Sequence, residues 1–273
     1  MGTIQTVTDL FNSDDAADLG ITGKGSQIMI NNLNATTLPM CVGAPIQTLE
    51  TDDVTIIMFI LDDSGSMGVV RTLLIETFNE IMVEGLRGAS KKTANTIVIG
   101  GLKFSRRVEP LWGGGFKKLQ ELPLLTTNEY QAGGGSTNLY KAMLDGVTAA
   151  GAYATQVFQE TGTPPKVIVI PLTDGADNVR EVSPDDVLAV TSGLSRELWK
   201  LPCAVFETGE RVDGKQIAQD SGFDVFEFKQ QPGETKDDVK RRFRHMMGTL
   251  SSQVISASQA QVGTPTSGNS FWT

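Results

Sequence analysis

The chain has 273 residues, enough for one large α/β domain with appendages or for two small ones. Its content, 40% hydrophobic and 20% charged, is ordinary for a globular protein. With 23 Lys+Arg against 32 Asp+Glu the net charge is −9, which argues against nucleic acid as the main partner, because phosphate binding leans on Lys and Arg, and leaves room for a local basic patch.

Residues 1–50 read as an N-terminal arm, polar and acidic at first, with Leu10, Phe11 and Ile21 as isolated apolar points. The start, MGTIQTVTDLFNSDD, has neither the basic nor the apolar region of a secretory signal. No run approaches the roughly 18 apolar residues of a membrane span. A cytoplasmic location is expected. Gly2 with Thr6 fits the short myristoylation pattern, which is often met by chance. Lys24 is followed by Gly25 and not by Ser or Thr, so no phosphate-binding loop is formed. Ser26–Asn31 alternates enough for a strand, and residues 32–52 read as a loop or hairpin.

Val54–Leu61 is apolar except for Thr55, the pattern of a strand buried on both faces in a parallel sheet. Leu74, Phe78, Ile81, Met82 and Gly85 then recur at helical spacing, with Gly85 and Gly88 expected to close the helix. Ile97–Leu102 is a second buried strand. Arg106–Trp112 contains Pro110, which confines it to an edge, and its short link to the preceding strand makes it an antiparallel hairpin partner. Residues 113–136 are irregular between two glycine triplets. A helix opens near Thr137, and Val167–Leu172 is the third parallel strand.

Ser183 and Pro184 mark a helix start. Val187, Val190, Leu194 and Leu198 supply its apolar stripe. Cys203–Phe206 and Asp224–Phe228 are strands flanking a short helix over Asp213–Ser221 that Gly222 ends. Thr235 with Asp238 forms a capping box before a last amphipathic helix, Thr235–Ser256. His245, among Lys240, Arg241, Arg242 and Arg244, lies on what reads as a solvated basic face. Residues 259–273 are expected to be a disordered tail. The two cysteines, Cys41 and Cys203, form no CxxC or Cys/His cluster and are expected as core thiols. Together these elements predict an α/β fold: a doubly wound, mostly parallel sheet with one antiparallel edge strand and helices on both faces.

Asp62, Ser64 and Ser66 end the first central strand, and Thr137 and Asp174 lie at later carboxyl ends or loops on that side, where such sheets bind ligands. They offer two carboxylates and three hydroxyls. An all-oxygen set suits Mg²⁺ or Mn²⁺, and Ca²⁺ less well because carboxylates are few. Met67, Asn138, Tyr140, Asp177 and Asn178 are expected on the same face as candidate partner contacts. Asp63 adds a carboxylate beside the set.

Asp62-x-Ser64-Gly65-Ser66, Thr137 in GGGSTNL and Asp174 in LTDGADN resemble the metal-ion-dependent adhesion site (MIDAS) of von Willebrand factor type A (VWA) domains. The resemblance covers roughly residues 51–230, and its DxSGSM and TDGxDN forms are similar to the intracellular and bacterial branch. It implies a VWA domain over residues 51–258. It also implies that Ser64 and Ser66 ligate the metal directly, that Thr137 does so in the ligand-bound state, and that Asp62 and Asp174 act mostly through waters. A partner's Asp or Glu would complete the sphere. Relatives of this branch serve as adaptors to AAA+ ATPases or as subunits of multiprotein assemblies.

The expected function is a metal-dependent protein-binding module and not an enzyme. Ser64 stands where a haloacid-dehalogenase-type phosphatase needs its second Asp. No later strand ends in the Lys of a receiver domain, and the single His245 leaves no Ser-His-Asp triad. The alternatives are a structural assembly subunit in which metal serves stability alone, and a Mg²⁺-dependent phosphoryl-transfer enzyme.

Overall fold

A computed structural model describes residues 13–33, 37–49, 53–90, 96–175, 177–208 and 212–260. Two short helices come first, α1 (Ser13–Asp18) and α2 (Lys24–Asn31). Strand β1 (Val54–Asp62) is buried at every residue. A 3₁₀ turn over Gly65–Val69 leads into α3 (Arg71–Thr77), a π-helical stretch over Phe78–Val83, and α4 (Glu84–Ser90). Then come β2 (Thr96–Phe104), β3 (Val108–Pro110), β4 (Lys117–Lys118) and the long helix α5 (Leu139–Thr161). The second half holds β5 (Lys166–Thr173), α6 (Pro184–Ser192), β6 (Trp199–Lys200), β7 (Pro202–Phe206), α7 (Gly214–Ser221), β8 (Asp224–Phe228) and α8 (Lys236–Gln259).

The sheet order is β3-β2-β1-β5-β7-β8, with β4 also on β2 and β6 also on β5. β1 runs parallel to β2 from Val54↔Thr96 to Asp62↔Phe104, and parallel to β5 from Thr55↔Lys166 to Leu61↔Leu172. The order reverses at β1: the chain leaves it toward β2 and returns to its other side at β5. The pleat sends alternate β1 residues into two cores. Ile56, Met58 and Ile60 join α5 in one. Ile57, Phe59 and Leu61 join α3 and α8 in the other. The predicted α/β fold is the one observed.

Three local expectations are corrected. Ser26–Asn31 is not a strand but lies within α2. The residues it buries are Gly25 and Met29, four apart, while Ile28 and Ile30 stay half-buried, so helical spacing wins over alternation. Gly85 and Gly88 do not end their helix, which runs on to Ser90. Gly85 is a packing glycine: a Cβ there would sit 2.9 Å from Ser251 Oγ of α8. That hydroxyl donates to the Ile81 carbonyl of the π stretch at 3.0 Å, satisfying a group within the altered turn. Finally, the antiparallel edge is built in two pieces. β3 pairs with Leu102–Phe104 and β4 with Val98–Ile99, so Pro110, Lys117 and Lys118 stand where they discourage further strand addition.

The segment read as an arm is described from residue 13. Ala16, Leu19, Ile21, Met29, Met40 and Cys41 belong to the α5-side core. Trp199 Nε1 donates to the Leu19 carbonyl at 2.9 Å, and Tyr153 Oη donates to that of Ala44 at 3.0 Å. Among the described residues of 32–52, short 3₁₀ turns over Leu38–Met40 and Ile46–Thr48 carry the chain, the loop of the two readings. Leu194 and Leu198 are buried beyond the end of α6. The tail beyond residue 260 lies outside the described residues. Among the described residues, no helix is long and apolar enough to cross a membrane.

Candidate metal centre

Hydrogen bonding between β1 and its neighbours delivers Asp62 to the carboxyl end of the sheet, fully buried. One Asp62 oxygen accepts from the Ser64 N–H at 2.9 Å, and the other accepts from the Thr173 hydroxyl at the end of β5. Tyr130 Oη donates to the Asp62 carbonyl at 2.6 Å. The next residues turn because Gly65 N–H donates to Gly134 O at 2.6 Å and Gly134 N–H donates to Asp63 O at 3.0 Å. Gly134 is required there: a Cβ would overlap the Ser105 side chain.

This turn lines up a chain of oxygens. Ser64 Oγ lies 3.1 Å from Ser66 Oγ, and Ser66 Oγ donates to Asp174 Oδ1 at 2.8 Å. Asp174 Oδ2 accepts from the Thr208 hydroxyl beyond β7. Thr137 comes alongside through Gly175, where a Cβ would lie 3.4 Å from Thr137 Oγ1. Its N–H donates to Asn178 Oδ1 at 2.8 Å. Asp62, Ser64, Thr137 and Asp174 are all buried, and Ser66 is exposed. The five residues from three segments therefore converge, with one hydroxyl open to solvent.

Burial pushes the Asp62 carboxyl up to about 6, against the hydrogen bonds from Ser64 and Thr173 that favour its ionised form; the Asp174 charge adds to the rise. Among the described residues the Asp62 carboxylate meets the Ser64 N–H and the Thr173 hydroxyl and forms no ion pair, and Lys103 pairs with Asp63 instead. A buried carboxylate without a cation beside hydroxyl oxygens fits a hard divalent ion. Among the described residues no cluster of three or more His, Cys, Asp and Glu is present, so a cation here would rest on hydroxyls as much as on carboxylates.

The five candidate contact residues divide. Met67 and Asn138 are fully buried. Asn138 Nδ2 donates to Glu181 Oε2 at 2.8 Å and to Arg106 O at 3.3 Å, which ties three loops together. Tyr140 is buried except for its edge and donates from Oη to Asp220 Oδ2 at 2.7 Å. Asp177 accepts from the Tyr140 N–H at 2.9 Å, in the first turn of α5, and from Val179 and Arg180 N–H at 3.1 and 2.8 Å. Asn178 alone of the five is exposed. Asp63 turns away from the site, accepting from Gln131 N–H at 2.9 Å and pairing with Lys103 at 3.5 Å. Thr173, Thr208 and Tyr130 were not legible as site residues. Thr173 and Thr208 had a weak signal, a hydroxyl at or just past a strand end; Tyr130 had none.

No family model matches the chain, and no curated protein does. Among solved structures it is similar to a von Willebrand factor type A protein from Catenulispora acidiphila, at 16% identity over 72% of this chain and 42% of that one, with a TM-score of 0.43. It is also similar to proximal thread matrix protein 1 from the mussel byssus with a zinc-occupied MIDAS motif, at 14% identity over 74% of this chain and 49% of that one, TM-score 0.43. A third is the manganese-loaded TRAP protein of Plasmodium vivax, at 13% identity over 72% and 74%, TM-score 0.34. The chain spans less than half the length of the first two.

Proposed function

We propose that this chain is a metal-dependent protein-binding module that takes an Asp or Glu side chain of a partner. The observation that supports it most is the buried oxygen cluster at the sheet's switch point, opening to solvent at Ser66. Ser64, Ser66 and Thr137 would hold the cation directly, and Asp62 and Asp174 would hold its waters, with Mg²⁺ or Mn²⁺ the fitting ions. The bound ion supplies positive charge and an open coordination position for a carboxylate. The chain's own residues do the rest. Thr173 and Thr208 orient the two carboxylates, and Ser64 N–H fixes Asp62. The Gly134 contact holds the serines in line. In this reading the module works in the cytoplasm as an adaptor or subunit of a larger assembly, with an AAA+ ATPase among the partners it suits.

The test has two arms. At a metal concentration about 100-fold above Kd, binding to the folded state alone adds about 2.7 kcal/mol. For a chain of this size that raises Tm by about 5–10 °C. Ser66→Ala should abolish the rise. Affinity capture in Mg²⁺ and again in EDTA should then yield a partner lost in EDTA and lost with Asp174→Ala. A wild-type Tm indifferent to both Mg²⁺ and Mn²⁺ would overturn the proposal.

A further inference from the structure

The described residues include nine arginines, and they are not spread evenly in their pairing. Arg87, Arg241, Arg242 and Arg244 each meet a carboxylate. Arg196 donates to the Gly222 carbonyl. The remaining four, Arg71, Arg106, Arg107 and Arg180, are all exposed, and they form no ion pair among the described residues. Arg106, Arg107 and Arg180 lie on loops that build the candidate metal centre, and Arg71 opens α3 just beyond the Ser64–Ser66 turn.

Their placement follows from the backbone. Arg71 follows the Ser64–Ser66 turn and donates from Nη1 to Gln131 O at 3.3 Å. Arg106 and Arg107 form the turn between β2 and β3. That turn abuts Thr137, because Asn138 N–H donates to Ser105 O at 2.9 Å and Asn138 Nδ2 to Arg106 O at 3.3 Å. Arg180 follows Asn178, whose side chain holds the Thr137 N–H. The chain as a whole carries a charge of −9, so a basic rim here runs against its composition. The local carboxylates spend acceptors inward: Asp63 on Gln131 N–H, Asp177 on Tyr140 and Val179 N–H, and Glu181 on Asn138. The guanidinium groups of Arg106, Arg107 and Arg180 are left exposed as donors, and Arg71 spends only Nη1 on Gln131 O.

Arg180 carries a second observation. Its φ is 58°, the left-handed region where glycine or asparagine sits more easily than arginine. Asp177 Oδ1 holds it there by accepting its N–H. An arginine kept at a position that disfavours its backbone points to a use for its side chain.

We propose that this rim selects a polyacidic peptide segment: one carboxylate enters the metal centre, and flanking Asp or Glu residues meet the guanidinium groups of Arg106, Arg107, Arg180 and Arg71. The inference rests on the metal-dependent reading of the site and narrows its partner class. The planar guanidinium fork matches a carboxylate and stays charged at every physiological pH. A peptide fits better than nucleic acid, because four charges on an acidic chain are few for a phosphate track.

The test is a displayed random-peptide library selected on the full chain in Mg²⁺, followed by fluorescence anisotropy of the recovered peptides. Three or more acidic residues within about eight are expected, a span of about 25 Å when extended. Arg106→Ser/Arg107→Ser/Arg180→Ser should weaken binding at least tenfold and flatten its salt dependence, leaving the metal-induced rise in Tm intact. Arg180→Gly should weaken binding without lowering Tm, since glycine relaxes that φ. Peptides with one acidic residue and neutral flanks, bound equally by the triple variant, would overturn the rim and leave the metal centre standing. Polyacidic peptides bound equally in EDTA and by Ser66→Ala, yet lost in the triple variant, would keep the rim and overturn the metal reading beneath it. Recovery of no acidic peptide would overturn the proposal. So would an oligothymidylate that the wild type binds and the triple variant releases, which would assign the rim to nucleic acid.

Discussion

Replacing Arg242 with Met should destabilise the protein more than the same change at Lys240, Arg241 or Arg244 on α8, which are exposed. Its Nε and Nη2 donate to the Glu234 carboxylate at 2.8 and 2.9 Å, and Nη2 also donates to Glu207 O at 2.8 Å. Nη1 donates to Phe228 O. The guanidinium lies 3.9 Å from the centroid of the Phe206 ring. The two charged side chains are only 12% and 2% exposed, so water cannot replace what is lost. Removing one partner of such a pair leaves the other charge buried, which costs about 3–5 kcal/mol. At about 2–4 °C per kcal/mol, Tm should fall by about 6–20 °C. Arg242→Met keeps the apolar stem, so the loss reports the head group. Adding Glu234→Leu should recover much of it, because an apolar pair often replaces a buried ion pair at little cost. Thermal unfolding by circular dichroism, checked by urea titration, measures both variants. A fall of less than about 2 °C in the single variant would refute the reasoning. So would a double variant no more stable than the single one. The site should register the change as well, since Glu207 precedes Thr208, which holds Asp174.

Two further predictions concern the α5 side. Gly146→Val should destabilise by about 1–3 kcal/mol, because a Cβ at Gly146 would overlap Ile60 Cδ1, and Ile60→Val should restore part of the loss by removing that methyl; urea midpoints of the single and double variants decide it. Both thiols are free and buried, and burial pushes Cys41 up to about 12 and Cys203 higher still. The thiolate is the reactive form, so at pH 8 the native protein should leave a thiol reagent such as Ellman's unreacted over minutes, and denatured protein should titrate both thiols. Rapid labelling of the native chain would contradict this.

The central strands and the placing of Asp62, Ser64, Ser66, Thr137 and Asp174 on one side of the sheet were legible in the chain itself; the order of the strands was not. A strand buried on both faces needs an unbroken apolar run, and Val54–Leu61, Ile97–Leu102 and Val167–Leu172 supply it locally. Caps are equally local: the Ser183 hydroxyl accepts from Asp185 N–H, and Thr235 and Asp238 form the predicted capping box. What depends on distant surfaces was not legible. A six-residue segment such as Ser26–Asn31 satisfies strand and helix periods alike, and packing of Gly25 against α6 decides for helix. The run of basic residues on α8 reads as a solvated face, and only the approach of Phe206, Glu207 and Glu234 makes Arg242 a buried hub. Met67 and Asn138 follow the motif as if they faced a partner, yet the fold turns both inward. Thr173 and Thr208 support the two carboxylates, and Tyr130 the Asp62 main-chain carbonyl, from separate parts of the chain. The sequence by itself determined which groups are present at the strand ends, because backbone propensity and apolar period act over a few residues. Only the tertiary structure decided which of them meet and which stay in solvent, because burial is set by surfaces that lie far apart along the chain.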